Sequence, residues 1–222
     1  MSSERPLLLI ISSPSGAGKT TLTARLLAAV KGLTFSISHT TRKPRESETN
    51  GKEYHFVSRS EFEQLIEAGA FLEWAEVHGN LYGTSRAEIE RRRDDRGIVF
   101  DIDHQGARQI KCAAPDAVAV FILPPSMAIL EQRLRGRASE DEETVQRRFS
   151  AAKREIEHYG LFDYVLVNEQ LEEATRKLTS IFLAEECRRS RVAALAEQFL
   201  AEGRLSHKSG AKAPPGGPKP IA

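Results

Sequence analysis

The glycine-rich run from Ser13 to Thr20, SPSGAGKT, is the stretch of the sequence best suited to phosphate chemistry. An apolar run, Leu7 to Ile11, precedes it, and apolar residues at helical spacing follow it. Strand, glycine-rich turn and helix in this order form the context of a phosphate-binding loop, or P-loop. Backbone N–H groups of such a turn surround an anion, and the helix N-terminus adds partial positive charge. The run therefore predicts a nucleoside triphosphate site.

Two side chains of this loop have specific expected roles. Lys19 can reach the outer phosphates, and the hydroxyl of Thr20 can ligate Mg²⁺. Ser13 departs from the pattern, because the motif has glycine at that position. The alternative is a strand-to-helix turn that is glycine-rich only for packing. It is disfavoured because Gly16 and Gly18, together with the lysine and the threonine, all fall at motif positions with the expected flanks.

A second candidate anion site lies in the polar, basic and turn-rich segment from Phe35 to Tyr54. So long a loop in a compact domain is usually functional or disordered. Arg42 and Arg45 lie three residues apart with Lys43 between them, and two guanidinium groups can bind one phosphate bidentately. A solvated run of charge is the alternative. The neighbouring hydroxyls and the two arginines favour the anion site.

Acidic residues follow a buried strand at Ile98–Asp103. Ligands of open α/β sheets bind outside the carboxyl ends of the strands, where Asp101 and Asp103 lie. An apolar run that ends in aspartate is also what a Walker-B element needs to orient Mg²⁺. A carboxylate that caps the next helix is the alternative for one of the two aspartates, but it does not explain both.

An arginine-rich helical hairpin follows Ser126. It contains Arg137 and, one to two turns into its second helix, Arg147 and Arg148. Beside a P-loop domain, such a hairpin is typical of a mobile lid that closes over phosphates. An exposed hairpin with surface salt bridges fits the same residues equally well.

The elements that must position these groups follow from the hydrophobic pattern. Apolar runs without alternation are typical of parallel strands that are buried on both faces. Such runs lie at Leu7–Ser12, Ile98–Asp103, Ala117–Leu123 and Phe162–Asn168. With the P-loop, they predict the α/β class and a three-layer P-loop NTPase fold around a central parallel sheet.

Residues 36–84 have a different pattern. Tyr54–Val57 predicts a short strand, Ser58 and Glu61 form a capping box that begins a helix, and Phe71–Val77 alternates like an antiparallel strand. These strands are expected to pair with one another rather than with the parallel sheet. The segment is therefore predicted to be a small α+β insertion.

The predicted organisation has four parts. A core domain comprises residues 1–35, 97–125 and 160–202, the insertion comprises 36–96, and the lid comprises 126–159. Residues 203–222 are rich in Gly, Pro and Lys, and they are predicted to be a disordered tail because they cannot bury a core.

Composition restricts the function classes. The chain has 222 residues, 40% hydrophobic and 28% charged, which is ordinary for a soluble globular protein. A formal net charge of +1 gives no overall attraction to nucleic acid or membranes. Cys112 and Cys187 have no metal or redox spacing and are expected to be reduced thiols. No run resembles a signal peptide or a bilayer span, so a cytoplasmic protein is expected.

These residues, taken together, resemble the guanylate kinases. The similarity runs from about Pro6 to Glu186 and rests on an ordered set of blocks, which is far more specific than one P-loop. The blocks are Pro14–Thr21, Ser36–Arg45, Asn50–Val57, Phe71–Tyr82 with Gly83, Asp101–Gly106, Gly136–Arg148 and Val165–Asn168.

The resemblance implies transfer of the γ-phosphoryl group of ATP to GMP with Mg²⁺, within a core, a GMP-binding insertion and a lid. The GMP-binding residues it implies are Ser38, Arg42, Arg45, Tyr54, Glu73, Tyr82 and Thr84, with Asp103 as a further candidate. The ATP-binding residues are Ser15, Gly16, Ala17, Gly18, Lys19, Thr20, Thr21 and Asn168. The catalytic residues are Lys19, Arg45, Arg137 and Arg148, and the metal ligands are Thr20 and Asp101.

Two other functions remain open at this point. A kinase of ribose phosphates would keep the P-loop but would have no need of Glu73 with the hydroxyls of Ser38 and Thr84. A guanylate-kinase-like interaction module of a scaffold protein would typically lose ATP-site residues, whereas Lys19 and Asp101 are present. The oligomeric state cannot be inferred from the sequence.

Overall fold

The computed structural model describes residues 5–77, 79–136 and 141–208, with the backbone alone for 203–208. Arg137, which the sequence places in the lid, lies outside these ranges. The described chain forms two compact units that divide between Glu185 and Glu186.

The strands of the described chain are mostly short. They are β1 (Leu7–Ser12), β2 (Leu33–Phe35), β3 (His39–Thr40), β4 (His55–Phe56), β5 (Phe71–Val77), β6 (Asn80–Ser85), β7 (Gly97–Asp101), β8 (Val118–Leu123) and β9 (Tyr164–Val167).

The helices alternate with these strands. They are α1 (Lys19–Ala29), α2 (Arg59–Glu67), α3 (Arg86–Arg91), α4 (His104–Ala113), α5 (Met127–Arg135), α6 (Glu142–Ile156), α7 (Leu171–Glu186) and α8 (Arg189–Lys208), with a 3-10 turn at Tyr159–Leu161. The last helix extends into the segment for which the sequence predicts disorder, and residues 209–222 lie outside the described residues.

The larger sheet has five strands in the order β2-β7-β1-β8-β9, and every pair is parallel. Because β1 is central, the loop that follows it emerges between the carboxyl ends of β7 and β8, where the strand order changes direction. The sheet with its flanking helices confirms the predicted fold class.

The pleat of the central strands sends successive side chains into two separate cores. Leu9 and Ile11 of β1 pack with α1 and α7, and Phe182 of α7 is fully buried among them. Ile10 points to the other face and packs with Ile110 of α4. Helices therefore cover both faces, which agrees with strands that are apolar throughout.

The smaller sheet has four strands in the order β4-β3-β6-β5 and does not join the larger one. The β5–β6 and β3–β6 pairs are antiparallel, and β3–β4 is parallel. Phe62 of α2 packs against Phe71 and Leu81 to form its own small core. The capping box at Ser58 and Glu61 is present. Local pairing of the insertion strands is thereby confirmed.

Helices α5 and α6 pack against each other in a separate hydrophobic cluster that contains Leu130, Leu134 and Val145. Within the second compact unit, α8 exposes Phe199 and Leu200. In the part of the chain that the structure describes, no helix is long and apolar enough to cross a membrane.

Gly97 begins β7 at a point where the packing leaves no room for a side chain. A Cβ there would lie 2.8 Å from Phe182 Cε2 and 3.0 Å from the carbonyl oxygen of Leu7. Gly97→Ala is therefore expected to lower the free energy of unfolding by about 1–3 kcal/mol through overpacking. Urea denaturation measures the change. Gly160→Ala is the control, because nothing lies within 4 Å of its Cβ position; equal stability of the two variants would contradict this packing.

Candidate active site

The phosphate loop joins β1 to α1 through two glycines with left-handed backbone. Gly16 has φ +92° and Gly18 has φ +96°, which residues with a Cβ rarely adopt. Behind the loop, Asn168 donates its side-chain amide to the carbonyl of Ala17 at 2.8 Å, and a Cβ on Gly18 would collide with that amide. Asn168 is buried, and its amide stabilises the phosphate loop. The contact of Asn168 with adenine stays a prediction.

Lys19 forms an ion pair with Asp101, the last residue of β7. The parallel register of β1 and β7 places these groups together at the carboxyl edge of the larger sheet. Asp103 follows in the sequence and caps α4, because its carboxylate accepts the N–H groups of Gln105 and Gly106 at 3.0 Å. Asp103 is therefore the aspartate that caps the following helix, as the sequence allowed for one of the two. It also lines both cavities of the site.

A cavity of about 370 Å³ opens over the phosphate loop. Its wall is formed by the loop and the first turn of α1, by the start of α4, and by one residue each of β8 and α6. These are Ser12–Gly16, Gly18–Thr21, Asp103, His104, Phe121 and Glu155. Among described residues, every ATP-site residue predicted from the sequence lines this cavity, except Ala17 and Asn168.

Helix α6 contacts the phosphate loop at Ser15. Arg148 donates to the Ser15 hydroxyl at 2.7 Å, and the Ser15 N–H donates to a Glu155 carboxylate oxygen at 3.3 Å. The predicted lid arginine therefore lies against the loop. Glu155 was missed in the sequence, because the only local signal is an acidic residue on a charged helix.

A second cavity, of about 170 Å³, adjoins the first at Lys19 and Asp103. Its other lining residues include Ser38, Tyr54, Glu73, Tyr82 and Asp101. The structure thus brings together side chains from the insertion and from the core that lie far apart in the sequence. The arrangement leaves room for a second ligand beside the phosphate loop.

Glu73 is the buried carboxylate of this second cavity, with 3% of its surface exposed. Desolvation raises its pKa to about 7, while the hydroxyl and the backbone N–H of Thr84 lower it and the charge of Asp103 raises it further. Thr84 lies opposite Glu73 in the β5–β6 register, and its hydroxyl is 3.1 Å from that of Ser38. The three polar side chains form one connected chain.

Helix α4 holds Glu73 from the core side. A Cβ at Gly106 would lie 2.6 Å from Glu73 Oε2, so glycine is needed for this approach. The next residue of β5, Trp74, is bonded to Gln109 of α4. The Gln109 side chain accepts from the Trp74 N–H at 3.1 Å and donates to the Trp74 carbonyl at 2.7 Å. The edge strand of the smaller sheet is thereby tied to the core.

Arg42 does not line the second cavity but contacts Tyr54, which does. Its guanidinium lies 5.5 Å from the centre of the Tyr54 ring, and it donates to Glu48 at 2.8 Å, which holds the pKa of Arg42 above its ordinary value. Glu48 also accepts the Arg45 backbone N–H at 2.8 Å. The Arg45 side chain is exposed and lines neither cavity. Glu48 organises both arginines and was missed in the sequence analysis.

The donors around Lys19 suit a divalent cation with oxygen ligands. Thr20 follows Lys19 in the lining of the first cavity, and the Asp101 carboxylate pairs with Lys19. No group of three His, Cys, Asp or Glu side chains within the described ranges could form a metal cage. This donor set fits a hard cation that takes its remaining ligands from phosphates and water.

The fold and the two adjoining cavities define an α/β P-loop protein of the phosphotransferase class. The guanylate kinase family model matches residues 4–185. The guanylate kinases of Maricaulis maris and Dechloromonas aromatica are 51% and 46% identical, over 84% and 87% of this chain and 87% and 98% of theirs. The guanylate kinase structure from Anaplasma phagocytophilum matches with a TM-score of 0.70 at 34% identity, over 86% of this chain and 91% of the other. The chain belongs to the guanylate kinase family.

The raised pKa of Glu73 has a consequence for stability. The folded protein holds this proton more tightly than the unfolded chain, so the folded state binds more protons between pH 4.5 and about 7. The free energy of unfolding therefore falls as the pH rises through this interval. Glu73→Gln removes that contribution, so the stability of the variant relative to wild type is expected to rise over the interval and to level off above it.

Urea denaturation midpoints measured across the interval test this expectation. Glu76→Gln is the matched control, because Glu76 is on the same strand but exposed. A stability difference between Glu73→Gln and wild type that does not change with pH would contradict the buried, protonated carboxyl.

Proposed function

We propose that this chain transfers the γ-phosphoryl group of ATP to GMP, giving ADP and GDP. Membership of the guanylate kinase family supports the reaction. The observation that carries the choice of acceptor is the buried Glu73 in the cavity next to the phosphate loop. The triphosphate would occupy the larger cavity and the monophosphate the smaller one.

Guanine recognition follows from the chemistry of one carboxylate. Guanine presents an N1–H and an exocyclic amine on one edge, and an ionised Glu73 can accept both. Adenine has no such pair, so a buried carboxylate would be left without donors. The hydroxyls of Ser38 and Thr84 would donate to guanine O6, with Asp103 as a further contact.

The GMP phosphate would lie on the side of the cavity where Tyr54 and Tyr82 meet, their ring centres 6.0 Å apart. Arg42 contacts this pair and would bind the phosphate, joined by Arg45 once its exposed side chain turns inward. Glu48 already fixes the backbone between the two arginines, which favours bidentate capture of an oxyanion.

The transfer itself needs positioning and charge stabilisation rather than a covalent intermediate. Lys19, at the junction of the two cavities, would bind the transferring phosphoryl group, and Arg148 and Arg137 would stabilise charge on its oxygens. Thr20 and Asp101 would hold Mg²⁺, which neutralises charge on the phosphates when it is bound.

The parts of the chain divide these tasks. Residues 36–96 would bind GMP, the hairpin at 126–159 would close over ATP, and the parallel sheet would carry the phosphate loop. The Ser15 contacts of Arg148 and Glu155 support the lid assignment, because they let α6 respond to the contents of the loop. A cytoplasmic location is in keeping with this chemistry.

Glu73→Gln tests the acceptor assignment. The amide can accept one guanine donor but repels the second, so KM for GMP is expected to rise by about tenfold or more while KM for ATP changes little. Coupled ADP-release assays with GMP, AMP and ribose phosphates measure this. Glu76→Gln is expected to behave as wild type. Wild-type turnover without GMP preference, or equal KM changes for both substrates, would contradict the proposal.

A further inference from the structure

Three glutamates are buried among the described residues: Glu73, Glu88 and Glu185. Glu73 belongs to the second cavity, and Glu185 bonds to the hydroxyl of Tyr164. Glu88 lies on α3, outside both cavities, with 1% of its surface exposed. A buried carboxylate is costly unless its partners compensate for lost hydration, so the role of this one needs an explanation.

The partners of Glu88 come from both chain segments that connect the two sheets. The outgoing segment is residues 36–38, between β2 and β3, and its Ile37 N–H donates to Glu88 Oε1 at 2.8 Å. The returning segment contains α3 itself, from which Arg92 donates to the same oxygen at 2.8 Å and Arg91 to the other. One carboxylate therefore joins the two segments.

The segment that Glu88 holds is the one that delivers Ser38 to the second cavity. Before it, the Ser36 N–H donates to Val99 of the larger sheet at 2.9 Å; after it, the Ser38 carbonyl accepts from His55 of the smaller sheet at 2.9 Å. Ile37 is thus the residue at which the chain leaves one sheet and enters the other. Its N–H donates to the Glu88 carboxylate, which fixes the Ser36–Ile37 peptide, one residue before Ser38.

Arg92 does not belong to a solvated basic face. Its side chain is only 16% exposed and is paired with the buried Glu88. The two arginines offset the cost of burying this carboxylate beside the Ile37 N–H.

We propose that Glu88 is a positioning residue for guanine recognition. By holding the Ile37 N–H, it keeps the Ser38 hydroxyl within hydrogen-bond distance of Thr84, which in turn bonds to Glu73. This inference rests on the proposed function. Glu88 does not touch the second cavity, so it acts through Ser38. It should therefore affect GMP and leave ATP, which binds at the end of β1, largely alone.

Glu88→Ala and the isosteric Glu88→Gln test the proposal. KM for GMP is expected to rise on the order of tenfold in the alanine variant and less in the glutamine variant, whose amide oxygen can still accept from Ile37. KM for ATP and kcat are expected to stay within about twofold. Calorimetric titration of each variant with GMP supplies a second reading that does not depend on turnover.

Asp95→Asn is the matched control. Asp95, in the returning segment, accepts from the hydroxyl of Thr34 in β2 at 2.8 Å, so it ties that segment to the larger sheet rather than to residues 36–38. Its KM for GMP is expected to remain that of wild type. An equally large GMP effect in this control would show that loss of any bond made by the returning segment suffices, and it would overturn the assignment to Glu88.

Other outcomes are equally decisive. Equal rises in KM for both substrates, or a lowered melting temperature in Glu88→Gln with unchanged GMP affinity, would make Glu88 purely structural and overturn the proposal. If the alanine variant does not fold, the glutamine variant decides. A wild-type protein inactive on GMP would overturn the proposed function, whereas an active one with unaffected Glu88 variants overturns only this inference.

Discussion

The site depends on the burial of the Glu73 carboxylate between the smaller sheet and α4. Transfer of a carboxylate out of water favours its protonated form, and the pKa near 7 reflects that cost. Thr84 supplies part of the missing hydrogen bonding, and Gly106 permits the close approach of α4 to the carboxylate. A ligand with two adjacent N–H groups would supply the rest. The binding selectivity that we propose therefore comes from the incomplete hydrogen bonding of the buried carboxylate in the free protein. Only a ligand that donates the missing hydrogen bonds offsets the cost of burying its charge.

The second constraint is that both cavities meet at Lys19. Because β1 and β7 are neighbouring parallel strands, their carboxyl ends bring the phosphate-loop lysine against Asp101. The smaller sheet is placed beside this edge by Gln109 and by the two segments that Glu88 joins. Positions that differ by tens of residues in sequence thus converge on one spot, which is what a reaction between two phosphate esters requires.

The sequence predicts the parts of the fold that depend on local patterns. Continuous apolar runs indicate the buried parallel strands, and the capping box marks the start of α2. The strands β2, β3 and β6 were missed, because they are short or polar and form only through partners distant in the chain. The P-loop residues and Glu73 could be found from motifs and family resemblance. The contacts of Glu48, Glu155 and Glu88 could not, because an acidic residue gives no local sign of its distant partner.

The central claim is that Glu73 is partly protonated in the free protein and becomes ionised when it binds guanine. A ¹³C NMR titration of the Glu73 side-chain carboxyl, assigned by the signal missing from Glu73→Gln, measures this directly. It should give a pKa of about 7 in the free protein and a clearly lower pKa with saturating GMP, with no such change when AMP is added. An ordinary carboxyl pKa in the free protein, or one that GMP does not lower, would contradict the claim.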